Sequence, residues 1–585
     1  MYSNLKSVQI LLAMLKEYNI DTVVISPGTS HDAIVRSFED DPFFKTYNIV
    51  DERSAAFFAI GLIEQLNRPV AVCCTSGTAT SNYLTAVTEA SRRGLPLIII
   101  SGDKNPYYLA QYEDQVIDQL SIFRSVTRYQ CQLPMVKDDK DFWYCNRIIN
   151  EALLELDHHG TGPVQIDVPI EEGMFAIGKD FAAEKLPQVT VIKRISMLSD
   201  TQDWAQLFGE LANKKVMLIC GQDENTNDAE RELIKKIAAE KHYVFAIDKI
   251  SNLQGCGTLE ITGAVKMYEA TMHEYTPDIV ISFAGNTALD YKFKLKAASK
   301  QFKHWIVNKE GRVADPYKNL NTVIEANTLE FLQRLDEYGA EADSGYANKW
   351  IAAVQAYSMP EAEYSNLYAV SNLMKRIPAH ANLSLANSST IRLAQYCELD
   401  DSVRVFCNRG VSGIDGCMSS FIGNAALSGG LSFLIIGDLT FFYDMNGIWN
   451  RYVGKNVRIM LNNNEGAALF HFNQGLDKYP GLNENVAAEH FAAAKGWVEG
   501  QGFRYLSAHT KEEFDANLEL FLDEASDMPI FFEVFTKKEN DAKIQHDFFD
   551  SLRADDKSGN SLKSETKKVI KSLLGEDLIK KLRKK

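Results

Sequence analysis

The sequence predicts an α/β protein with three doubly wound domains, because short apolar runs alternate with amphipathic helical patterns along most of its 585 residues. This alternation favours parallel sheets covered by helices. It is interrupted twice, by a linker around 185–198 and by a helical stretch over 328–356. We therefore expect domains at 1–185, 195–345 and 350–537, followed by a charged helical tail at 538–585.

In the first domain, an amphipathic pattern over 5–18 predicts a helix, and several apolar runs predict strands. The predicted strands lie at 22–25, 70–74, 97–101 and 164–168. Ser26-Pro27-Gly28 and Thr75-Ser76-Gly77 each follow one of these strands. Ligands bind beyond the carboxyl ends of the strands in open α/β sheets, so both turns are candidate binding loops.

The other two domains show the same alternation. In the second domain, strands are predicted at 215–221, 243–247, 279–283 and 303–307. In the third, they are predicted at 383–385, 403–407, 432–436, 457–461 and 530–534. Nothing in residues 190–345 matches a dinucleotide-binding fingerprint, which argues against a flavin-containing enzyme.

The composition excludes several classes of protein. A net charge of −16 argues against general nucleic-acid binding, and no apolar run is long enough to span a bilayer. The N-terminus lacks the basic and apolar regions of a signal peptide. The nine cysteines include no Cys-x-x-Cys pair, which fits a reduced, cytoplasmic protein.

The tail at 538–585 is rich in lysine and acids, and it ends in a basic amphipathic segment. One interpretation is a solvated helix on a flexible tether. The other is a docking helix for a partner or a membrane surface. The sequence leaves both interpretations open.

Two polar positions in the third domain have the spacing of a magnesium site. Asp438 follows the apolar run at 431–436, and Asn463 comes 25 residues later, directly after the next predicted strand. Magnesium prefers oxygen ligands in octahedral geometry and shares them with phosphates. We therefore expect Asp438, Asn463 and the main-chain carbonyl of Glu465 to bind Mg²⁺. A helix cap is the alternative role for Asp438.

Far upstream, Asp51-Glu52-Arg53 opens an alanine-rich helical pattern. An acid in the N-terminal half and a magnesium motif in the C-terminal half are similar to the arrangement in thiamine-diphosphate enzymes. This similarity implies that Glu52 contacts the cofactor. The alternative is an acid in the first turn of a helix, favoured there by the helix dipole.

Longer motifs resemble those of the 2-succinyl-5-enolpyruvyl-6-hydroxy-3-cyclohexene-1-carboxylate (SEPHCHC) synthase family of menaquinone biosynthesis. The most specific is Asn408-Arg409-Gly410-Val411-Ser412-Gly413-Ile414-Asp415-Gly416. The other matching motifs are Gly437-Asp438-Leu439, Asn387-Ser388 with Arg392, Asp51-Glu52-Arg53 and Thr75-Ser76-Gly77-Thr78. The resemblance covers the chain up to about residue 537.

The resemblance implies pyrimidine-binding, central and diphosphate-binding domains, and an active site formed between two subunits of a homodimer or homotetramer. It also implies thiamine diphosphate and Mg²⁺ as cofactors, with Glu52 as a catalytic residue. The expected cofactor-binding residues are Glu52, Ser76, Gly77, Ser412, Gly413, Ile414, Asp438, Leu439 and Asn463.

For the donor, the resemblance implies that Ser388, Arg392 and Arg409 bind a 2-oxo acid with a second carboxylate, such as 2-oxoglutarate. The planar guanidinium of arginine suits bidentate binding of a carboxylate. Structural ion pairs are the alternative role for the two arginines.

The acceptor side departs from the family. Ser30 and Lys104 stand where the family has arginines, and Asp114 and Asp118 stand where it has an amide and an arginine. Exchanging positive for negative charge disfavours an anionic acceptor such as isochorismate, the acceptor of the family. We therefore expect Ser30, Lys104, Asp114 and Gln115 to contact a different acceptor, which the sequence does not identify.

Two histidines have two interpretations each. His31, in the same departing motif, is a candidate catalytic proton donor or a polar residue of a helix cap. His471 lies between Phe470 and Phe472. A packed, hydrogen-bonded ring is its expected role, and a place near the cofactor is the alternative.

The sequence thus predicts a 2-oxo acid decarboxylase and carboligase that depends on thiamine diphosphate and Mg²⁺ and uses an acceptor other than isochorismate. The alternatives are an authentic SEPHCHC synthase, a simple 2-oxo acid decarboxylase and a non-catalytic binding protein with the same fold. The presence of Glu52, Asp438 and Asn463 argues against the last of these.

Overall fold

The computed structural model describes residues 1–170, 180–192, 204–312, 314–472 and 479–554. These residues form three six-stranded sheets, and the strand pairs within all three are parallel. Apolar cores lie on the two faces of the sheets, beneath the covering helices. The predicted α/β fold with three domains is confirmed.

The first domain has a sheet of strand order β2-β1-β3-β4-β6-β5. Its strands are β1 (Thr22–Ile25), β2 (Lys45–Asn48), β3 (Val70–Cys74), β4 (Leu97–Asp103), β5 (Tyr129–Gln132) and β6 (Val164–Pro169). Its helices are α1 (Lys6–Glu17), α2 (Asp32–Glu39), α3 (Glu52–Leu66), α4 (Thr78–Asn82), α5 (Leu84–Arg93), α6 (Gln119–Ile122) and α7 (Asp139–Glu155).

The second domain has a sheet of strand order β12-β11-β10-β7-β8-β9. Its strands are β7 (Val216–Cys220), β8 (Val244–Ile247), β9 (Leu259–Glu260), β10 (Ile279–Phe283), β11 (Lys303–Asn308) and β12 (Leu320–Glu325). Its helices are α8 (Trp204–Gly209), α9 (Asp228–Lys241), α10 (Thr262–Met267), α11 (Tyr291–Ala297), α12 (Thr328–Tyr338) and α13 (Ser344–Gln355).

The third domain has a sheet of strand order β14-β13-β15-β16-β18-β17. Its strands are β13 (Asn382–Leu385), β14 (Arg404–Phe406), β15 (Ser432–Gly437), β16 (Val457–Asn463), β17 (Arg504–Ala508) and β18 (Ile530–Phe535). Its helices are α14 (Asn366–Met374), α15 (Ser389–Ala394), α16 (Cys417–Ala425), α17 (Asp438–Tyr443), α18 (Ala468–Phe472), α19 (Leu482–Asn485), α20 (Lys495–Gly500), α21 (Lys511–Phe521) and α22 (Lys538–Ala554).

The first and third sheets share one topology, since each places its second strand outside its first and its fifth strand at the opposite edge. The direction of winding therefore reverses between β1 and β3 in one sheet and between β13 and β15 in the other. Ligands of open α/β sheets bind at such switch points. The Ser26-Pro27-Gly28 turn and Asn387-Ser388 follow β1 and β13, so both motifs lie at these positions.

The sequence missed five strands, and all five lie at the edges of sheets: β2, β5, β9, β12 and β17. These strands are only partly buried, whereas β3, β7 and β16 are buried along their whole length. An edge strand has one hydrogen-bonded neighbour and more solvent contact, so its apolar pattern is weak.

The first and third domains meet where α3 crosses α16. A methyl group on Gly61 would lie 2.1 Å from the Ser420 carbonyl oxygen, and one on Gly423 would lie 2.2 Å from the Phe58 carbonyl oxygen. Glycine at both positions lets the two backbones touch. One apolar core therefore continues from the first domain into the third.

The predicted start of the tail at residue 538 is corrected by the structure. Residues 538–554 form α22, in which Phe548, Phe549 and Leu552 pack into the core of the third domain. Asp541 accepts hydrogen bonds from Asn464 Nδ2 (2.8 Å) and the Asn366 N–H (3.0 Å). This segment is part of the third domain because its apolar face is buried there. The rest of the predicted tail, 555–585, lies outside the described residues.

No helix in the described ranges combines the length and the apolar character needed to cross a membrane.

Candidate active site

The expected metal ligand Asp438 is held by backbone donors where β15 ends. Its carboxylate is buried and accepts hydrogen bonds from the N–H groups of Leu439 (2.7 Å), Asn464 (3.1 Å) and Gly466 (2.9 Å). The N-cap residue of α17 is Gly437, so a helix cap is not the role of Asp438. The carboxylate instead ties β15 to the loop that follows β16.

Asn463 ends β16, the strand that pairs with β15. Its Nδ2 donates hydrogen bonds to Glu533 Oε1 (2.7 Å) and to the Ala492 carbonyl oxygen (2.9 Å). These bonds assign the amide nitrogen, and Oδ1 accepts one long hydrogen bond from the Glu465 N–H at 3.4 Å, so it retains a lone pair for a further partner. The Glu465 carboxylate is paired with Lys537, with Nζ and Oε1 2.5 Å apart, so its main-chain carbonyl stays the predicted ligand.

These groups match the preference of magnesium for oxygen donors. The set combines a carboxylate, an amide oxygen and a carbonyl. In the part of the chain that the structure describes, no three His, Cys, Asp or Glu side chains cluster as a metal site. A metal ion at Asp438 would therefore depend on this mixed set and on oxygens supplied by phosphates or water.

A cleft of about 280 Å³ opens beside Asp438, at the carboxyl ends of β13, β15 and β16. Ser388, Ile414 and Leu439 line it, together with Asp438 itself. The two aliphatic side chains provide an apolar wall opposite polar and backbone groups. This combination suits a cofactor with one apolar and one anionic part.

Four predicted site residues other than glycine have a left-handed backbone: Gln115 (φ +58°), Ser388 (φ +71°), Ser412 (φ +61°) and Glu465 (φ +65°). Residues other than glycine adopt this conformation at a cost, and such strain concentrates at functional sites. Asn387 holds two of these loops together, because its Nδ2 donates to the carbonyl oxygens of Asn408 and Gly413, both at 2.7 Å.

In the first domain, Glu52 begins α3 directly after the helix cap. The cap is Asp51, whose carboxylate accepts a hydrogen bond from the Ser54 N–H at 3.0 Å. Glu52 is therefore not needed as a cap. Burial raises the pKa of Glu52, and the nearby Asp51 charge raises it further. A half-buried carboxyl group that binds its proton more tightly is suited to hydrogen bonding with a ring nitrogen.

Ser76 and Gly77 form the turn between β3 and α4. Gly77 has φ +79°, and its N–H donates to Gln119 Oε1 at 2.9 Å. Gln119 is held in turn by Asp167, because Nε2 donates to Oδ1 at 2.8 Å. The Ser76 hydroxyl is buried and has no hydrogen-bond partner among the described residues.

Ser30 and His31 lie next to this turn. The Ser30 N–H donates to Thr75 Oγ1 at 3.1 Å, and His31 packs beneath the backbone of Gly102. His31 occupies the N-cap position of α2, as the helix-cap interpretation expects, but its side chain makes no capping hydrogen bond. Burial lowers the pKa of His31 to about 4, so the ring is neutral at pH 7. The proton-donor role needs the charged ring, which this burial disfavours.

The other predicted acceptor residues are spread along the segment after β4. Lys104 is nearly buried, and its Nζ lies 3.1 Å from Glu113 Oε1. Asp114 and Gln115 are exposed. The backbone of Gln115 nevertheless packs against Gly77, where an added methyl group would meet its Cα at 3.0 Å. The structure thus brings Gln115 to the Ser76-Gly77 turn but leaves Asp114 at the surface.

Lys292 lies near Arg392 and Arg409, and no sequence motif predicts it. Within the described chain neither arginine forms an ion pair, so the structural ion-pair role is not supported. Burial lowers the pKa of Lys292, and the charges of Arg409 and Arg392 lower it further. Lys296 of the same helix lowers the pKa of Lys292 as well, whereas the charge of Asp290 raises it, so Lys292 lies among cations from two domains and one nearby acid. Lys292 lies in α11, where no motif points to it.

The predicted site residues form two groups. All residues that line the cleft belong to the third domain, and Glu52, Ser76 and Gly77 are not among them. The first-domain group surrounds the switch point of its own sheet. Within one chain, the structure does not bring Glu52 to the cleft at Asp438.

Comparison with known proteins agrees with this geometry. Residues 5–122 match the family described as "Thiamine pyrophosphate enzyme, N-terminal TPP binding domain". A SEPHCHC synthase from Phocaeicola vulgatus is 38% identical over 560 residues, covering 94% of this chain and 99% of the relative. One from Bacteroides fragilis is 38% identical over 561 residues, covering 94% of this chain and all of the relative.

The chain belongs to the SEPHCHC synthase family. A more distant member from Flavobacterium johnsoniae is 29% identical over 563 residues, covering 94% of this chain and 99% of the relative. The chain is thus a thiamine-diphosphate-dependent enzyme of the transferase or lyase type, and the predicted family, cofactor and enzyme class are confirmed.

The side chains at the site fit the family's cofactor. Asn462 Oδ1 is buried without a hydrogen-bond partner in the described ranges, and Asn462 lines the cleft. The orphaned Ser76 hydroxyl is a second unused polar group, on the first-domain side. Buried polar groups without partners are rare in folded proteins, and a bound ligand is one explanation for them.

Two histidines lie near the cleft. The sequence predicts no role for His490 and only an alternative role near the cofactor for His471. The His490 ring nitrogen Nε2 lies 3.3 Å from Asp438 Oδ2. His471 instead hydrogen-bonds Asn483 Oδ1 at 2.8 Å, as expected for a packed, satisfied histidine. His490 carries no motif, so only the fold of the loop after α19 reveals it.

Proposed function

We propose that this enzyme decarboxylates a dicarboxylic 2-oxo acid such as 2-oxoglutarate and joins the remaining fragment to an acceptor other than isochorismate. When bound, thiamine diphosphate supplies the electron sink that decarboxylation needs. Asp438, Asn463 and the Glu465 carbonyl would hold Mg²⁺ against its diphosphate. The chain's own side chains bind and orient the two substrates.

The donor assignment rests on the cluster of Arg392, Arg409 and Lys292. Their charges act on one another, since the two arginines lower the pKa of Lys292. Within the described ranges, no carboxylate forms an ion pair with either arginine. Asp290 and Asp248 act on Arg392 and Arg409 through space without forming an ion pair with them. The second carboxylate of a 2-oxo acid would pair with these guanidinium groups directly, and bidentate binding by an arginine would orient it.

Glu52 is the proposed proton-holding group on the cofactor side. Its raised pKa favours a carboxyl group that shares a proton with a ring nitrogen of the aminopyrimidine. His31 does not serve as its acidic partner, because burial keeps the imidazole neutral. In this proposal, His31 shapes the acceptor wall and does not transfer a proton.

The acceptor proposal is supported by the charges beside the Ser76-Gly77 turn. Lys104 is paired with Glu113 at 3.1 Å, so its charge is balanced within the chain. Ser30 and His31 are uncharged at pH 7. Asp114 lies at the surface and adds no positive charge to this wall. A wall with so little net positive charge suits a neutral or weakly charged acceptor better than a dicarboxylate.

Authentic SEPHCHC synthase activity is the second candidate function. The observation in its favour is the 38% identity over 94% of the chain with proteins that carry this name. The donor would be the same, and only the acceptor would differ. An experiment that varies the acceptor alone therefore separates the two.

The test is release of carbon dioxide from 2-oxoglutarate by the purified protein with thiamine diphosphate and Mg²⁺, with and without isochorismate. We expect release whose rate does not depend on isochorismate. Strong acceleration with formation of the adduct would instead establish SEPHCHC synthase activity. Formation of succinic semialdehyde in the presence of every acceptor tried would indicate a simple decarboxylase. No release at all would contradict the donor assignment.

A homodimer or homotetramer is proposed because Glu52 and the Asp438 cleft do not meet within one chain. Tyr107, Leu109 and Tyr112 are strongly exposed on the segment beside the acceptor wall, which suits burial against a second copy. Co-expression of Glu52→Gln and Asp438→Ala chains tests this. Each variant alone should be inactive. The co-expressed mixture should regain about a quarter of the parent activity, since half of its dimers are mixed and each mixed dimer contains one intact site of two.

We also propose a cytoplasmic location. All nine cysteines are unpaired and buried. Disulfides are rare in reducing compartments, and free buried cysteines are common there. Fractionation of cells that express the tagged protein would test this.

A further inference from the structure

Arg409, proposed above to bind the donor, lies on a loop that all three domains hold. This loop, residues 407–411, leaves β14 and is here called the Arg409 loop. Asn387 of the third domain accepts a hydrogen bond from Arg409 Nη1 on its Oδ1 at 3.2 Å. Asn286 of the second domain donates from Nδ2 to the Arg409 carbonyl oxygen at 3.0 Å.

The first domain contributes the contact with the most restrictive geometry. Glu89, in α5, accepts hydrogen bonds from two successive N–H groups of the loop. Gly410 N–H donates to Oε1 at 3.0 Å, and Val411 N–H donates to Oε2 at 2.9 Å. Glu89 is 1% exposed, so these bonds are made in a site that water does not reach. Charge-assisted bonds of this kind are stronger than neutral ones.

Gly410 allows this close approach. A methyl group at Gly410 would lie 2.9 Å from the Glu89 carbonyl oxygen, 3.0 Å from Arg92 Cβ and 3.0 Å from Glu89 Oε2. Any side chain would push the loop away from α5. The close packing of the Arg409 loop against α5 therefore requires glycine at position 410.

Arg93, four residues after Glu89 on α5, places a positive charge close to Glu89. Arg93 is buried and forms ion pairs with Glu64 (2.9 Å) and Glu224 (2.7 Å). The charges of Glu224, Glu64 and Glu89 raise the pKa of Arg93 against the effect of burial. Arg93 thus connects the surroundings of Glu89 to the second domain through Glu224.

We propose that Glu89 is a positioning residue for the donor: it holds the Arg409 loop from another domain and so sets where the Arg409 guanidinium meets the second carboxylate of the 2-oxo acid. This inference rests on the proposed donor. Glu89 touches neither substrate nor cofactor in this view, and it acts only through the loop. Asn286 supports the same loop from the second domain.

The test compares Glu89→Gln with the parent holoenzyme by steady-state decarboxylation of 2-oxoglutarate and of 2-oxobutyrate, which lacks the second carboxylate. Glutamine keeps the shape of Glu89 but turns one acceptor into a donor that faces a loop N–H. We expect KM for 2-oxoglutarate to rise about tenfold or more with little change in kcat, because misplacing a binding group costs this much. KM for 2-oxobutyrate should stay within about twofold.

Glu230→Gln is the matched control. Glu230 is also a buried glutamate, and its side chain accepts a hydrogen bond from the Asn227 N–H at 3.0 Å. In the described chain, no hydrogen bond or ion pair of the Glu230 side chain reaches the Arg409 loop. We expect Glu230→Gln to leave the preference between the two substrates unchanged. If Glu89→Gln and Glu230→Gln changed KM for both substrates in parallel, the role of Glu89 would be structural and the inference would be overturned.

A double-mutant cycle with Arg409→Ala tests whether Glu89 acts through Arg409. We expect Glu89→Gln to have little further effect on kcat/KM for 2-oxoglutarate once Arg409 is removed. Additive effects would overturn the inference. Should Glu89→Gln fail to fold in thermal melts, Asn286→Ala replaces it, because Asn286 is exposed and holds the same loop.

The outcomes also separate this inference from the proposed donor. A parent enzyme that does not turn over 2-oxoglutarate would overturn both. An active parent enzyme whose Glu89→Gln variant has unchanged KM for 2-oxoglutarate would overturn the positioning role alone.

Discussion

Glu533, fully buried in β18, accepts a hydrogen bond from Nδ2 of the proposed metal ligand Asn463 at 2.7 Å. The same carboxylate accepts a bond from the Tyr505 hydroxyl at 2.8 Å. Glu533 therefore decides which atom of the Asn463 amide is free to face a metal ion. Groups that orient metal ligands in this way are part of the site although they do not touch the metal.

The first prediction is that Glu533→Ala weakens magnesium binding. The Asn463 amide loses the bond that orients it, so half-maximal activation should need about 10- to 100-fold more Mg²⁺. Titration of activity with Mg²⁺ at saturating thiamine diphosphate measures this. Tyr505→Phe is the control, because it removes another partner of Glu533 and leaves the bond to Asn463 in place. An unchanged Mg²⁺ requirement in Glu533→Ala would contradict the role of Asn463 as a ligand.

The second prediction concerns the crossing of α3 and α16. Gly61→Ala places a methyl group 2.1 Å from the Ser420 carbonyl oxygen, so the helices must separate. Overpacking of this kind destabilises by about 1–3 kcal/mol. Thermal melts should show a lower Tm than in the parent protein. Gly496→Ala, in α20, is the control, because nothing lies within 4 Å of the added methyl group; its Tm should not fall.

The third prediction concerns pH. Burial, reinforced by the neighbouring charge of Asp167, raises the pKa of Asp103 to about 8. An unfolded aspartate has a pKa of about 3.9. Between these two pKa values the folded protein keeps a proton on Asp103 that the unfolded chain has released. The Asp103 carboxyl group therefore makes the free energy of unfolding fall as pH rises from about 4 to about 8. Above pH 8 this contribution no longer changes.

Asp167→Asn tests this assignment. An asparagine can donate a hydrogen bond to an ionised Asp103, so the pKa of Asp103 should fall and the loss of stability between pH 5 and pH 8 should become shallower. Urea unfolding at a series of pH values, compared between variant and parent, measures the slope. Parallel curves for the two proteins would show that Asp103 and Asp167 do not share a proton.

The fourth prediction is that Lys292→Met changes donor preference. Lys292 lies near Arg409 and Arg392, whose charges lower its pKa. Removing this cation should raise KM for 2-oxoglutarate by about tenfold and leave KM for a monocarboxylic 2-oxo acid nearly unchanged. Lys294→Met is the control, because Lys294 lies on the same helix α11 but is paired with Glu269 at 3.1 Å. Equal effects of the two substitutions would place the donor elsewhere.

Much of the fold and the local motifs could be predicted from the sequence. Central strands such as β3 and β16 are buried on both faces, so they appear as continuous apolar runs. Asp438 and Asn463 could be paired because they end adjacent strands, and the chain between such strands has a narrow range of lengths. Edge strands such as β12 were missed because solvent contact weakens their pattern.

The start of α22 was misjudged for a different reason. The first turns of this helix are rich in charged residues, so the sequence predicts that Lys538 and Asp541 are exposed to solvent. In the structure Lys538 pairs with Glu489 at 2.6 Å, and Asp541 hydrogen-bonds Asn464 at 2.8 Å. Charged residues are buried where partners from distant segments neutralise them, and a local pattern contains no information about such partners.

By itself the sequence determined the three-domain α/β fold, the cofactor class and the residues that carry the magnesium and thiamine-diphosphate motifs. The fold depends on local periodicity along the chain, whereas the cofactor class follows from the resemblance of contiguous motifs to those of a known family. Only the tertiary structure decided that Glu89 holds Gly410, 321 residues away, that Lys292 joins Arg392 and Arg409, and that His31 is buried and neutral. Such contacts and pKa values depend on which domains pack together, because burial and charge act through space and not along the sequence.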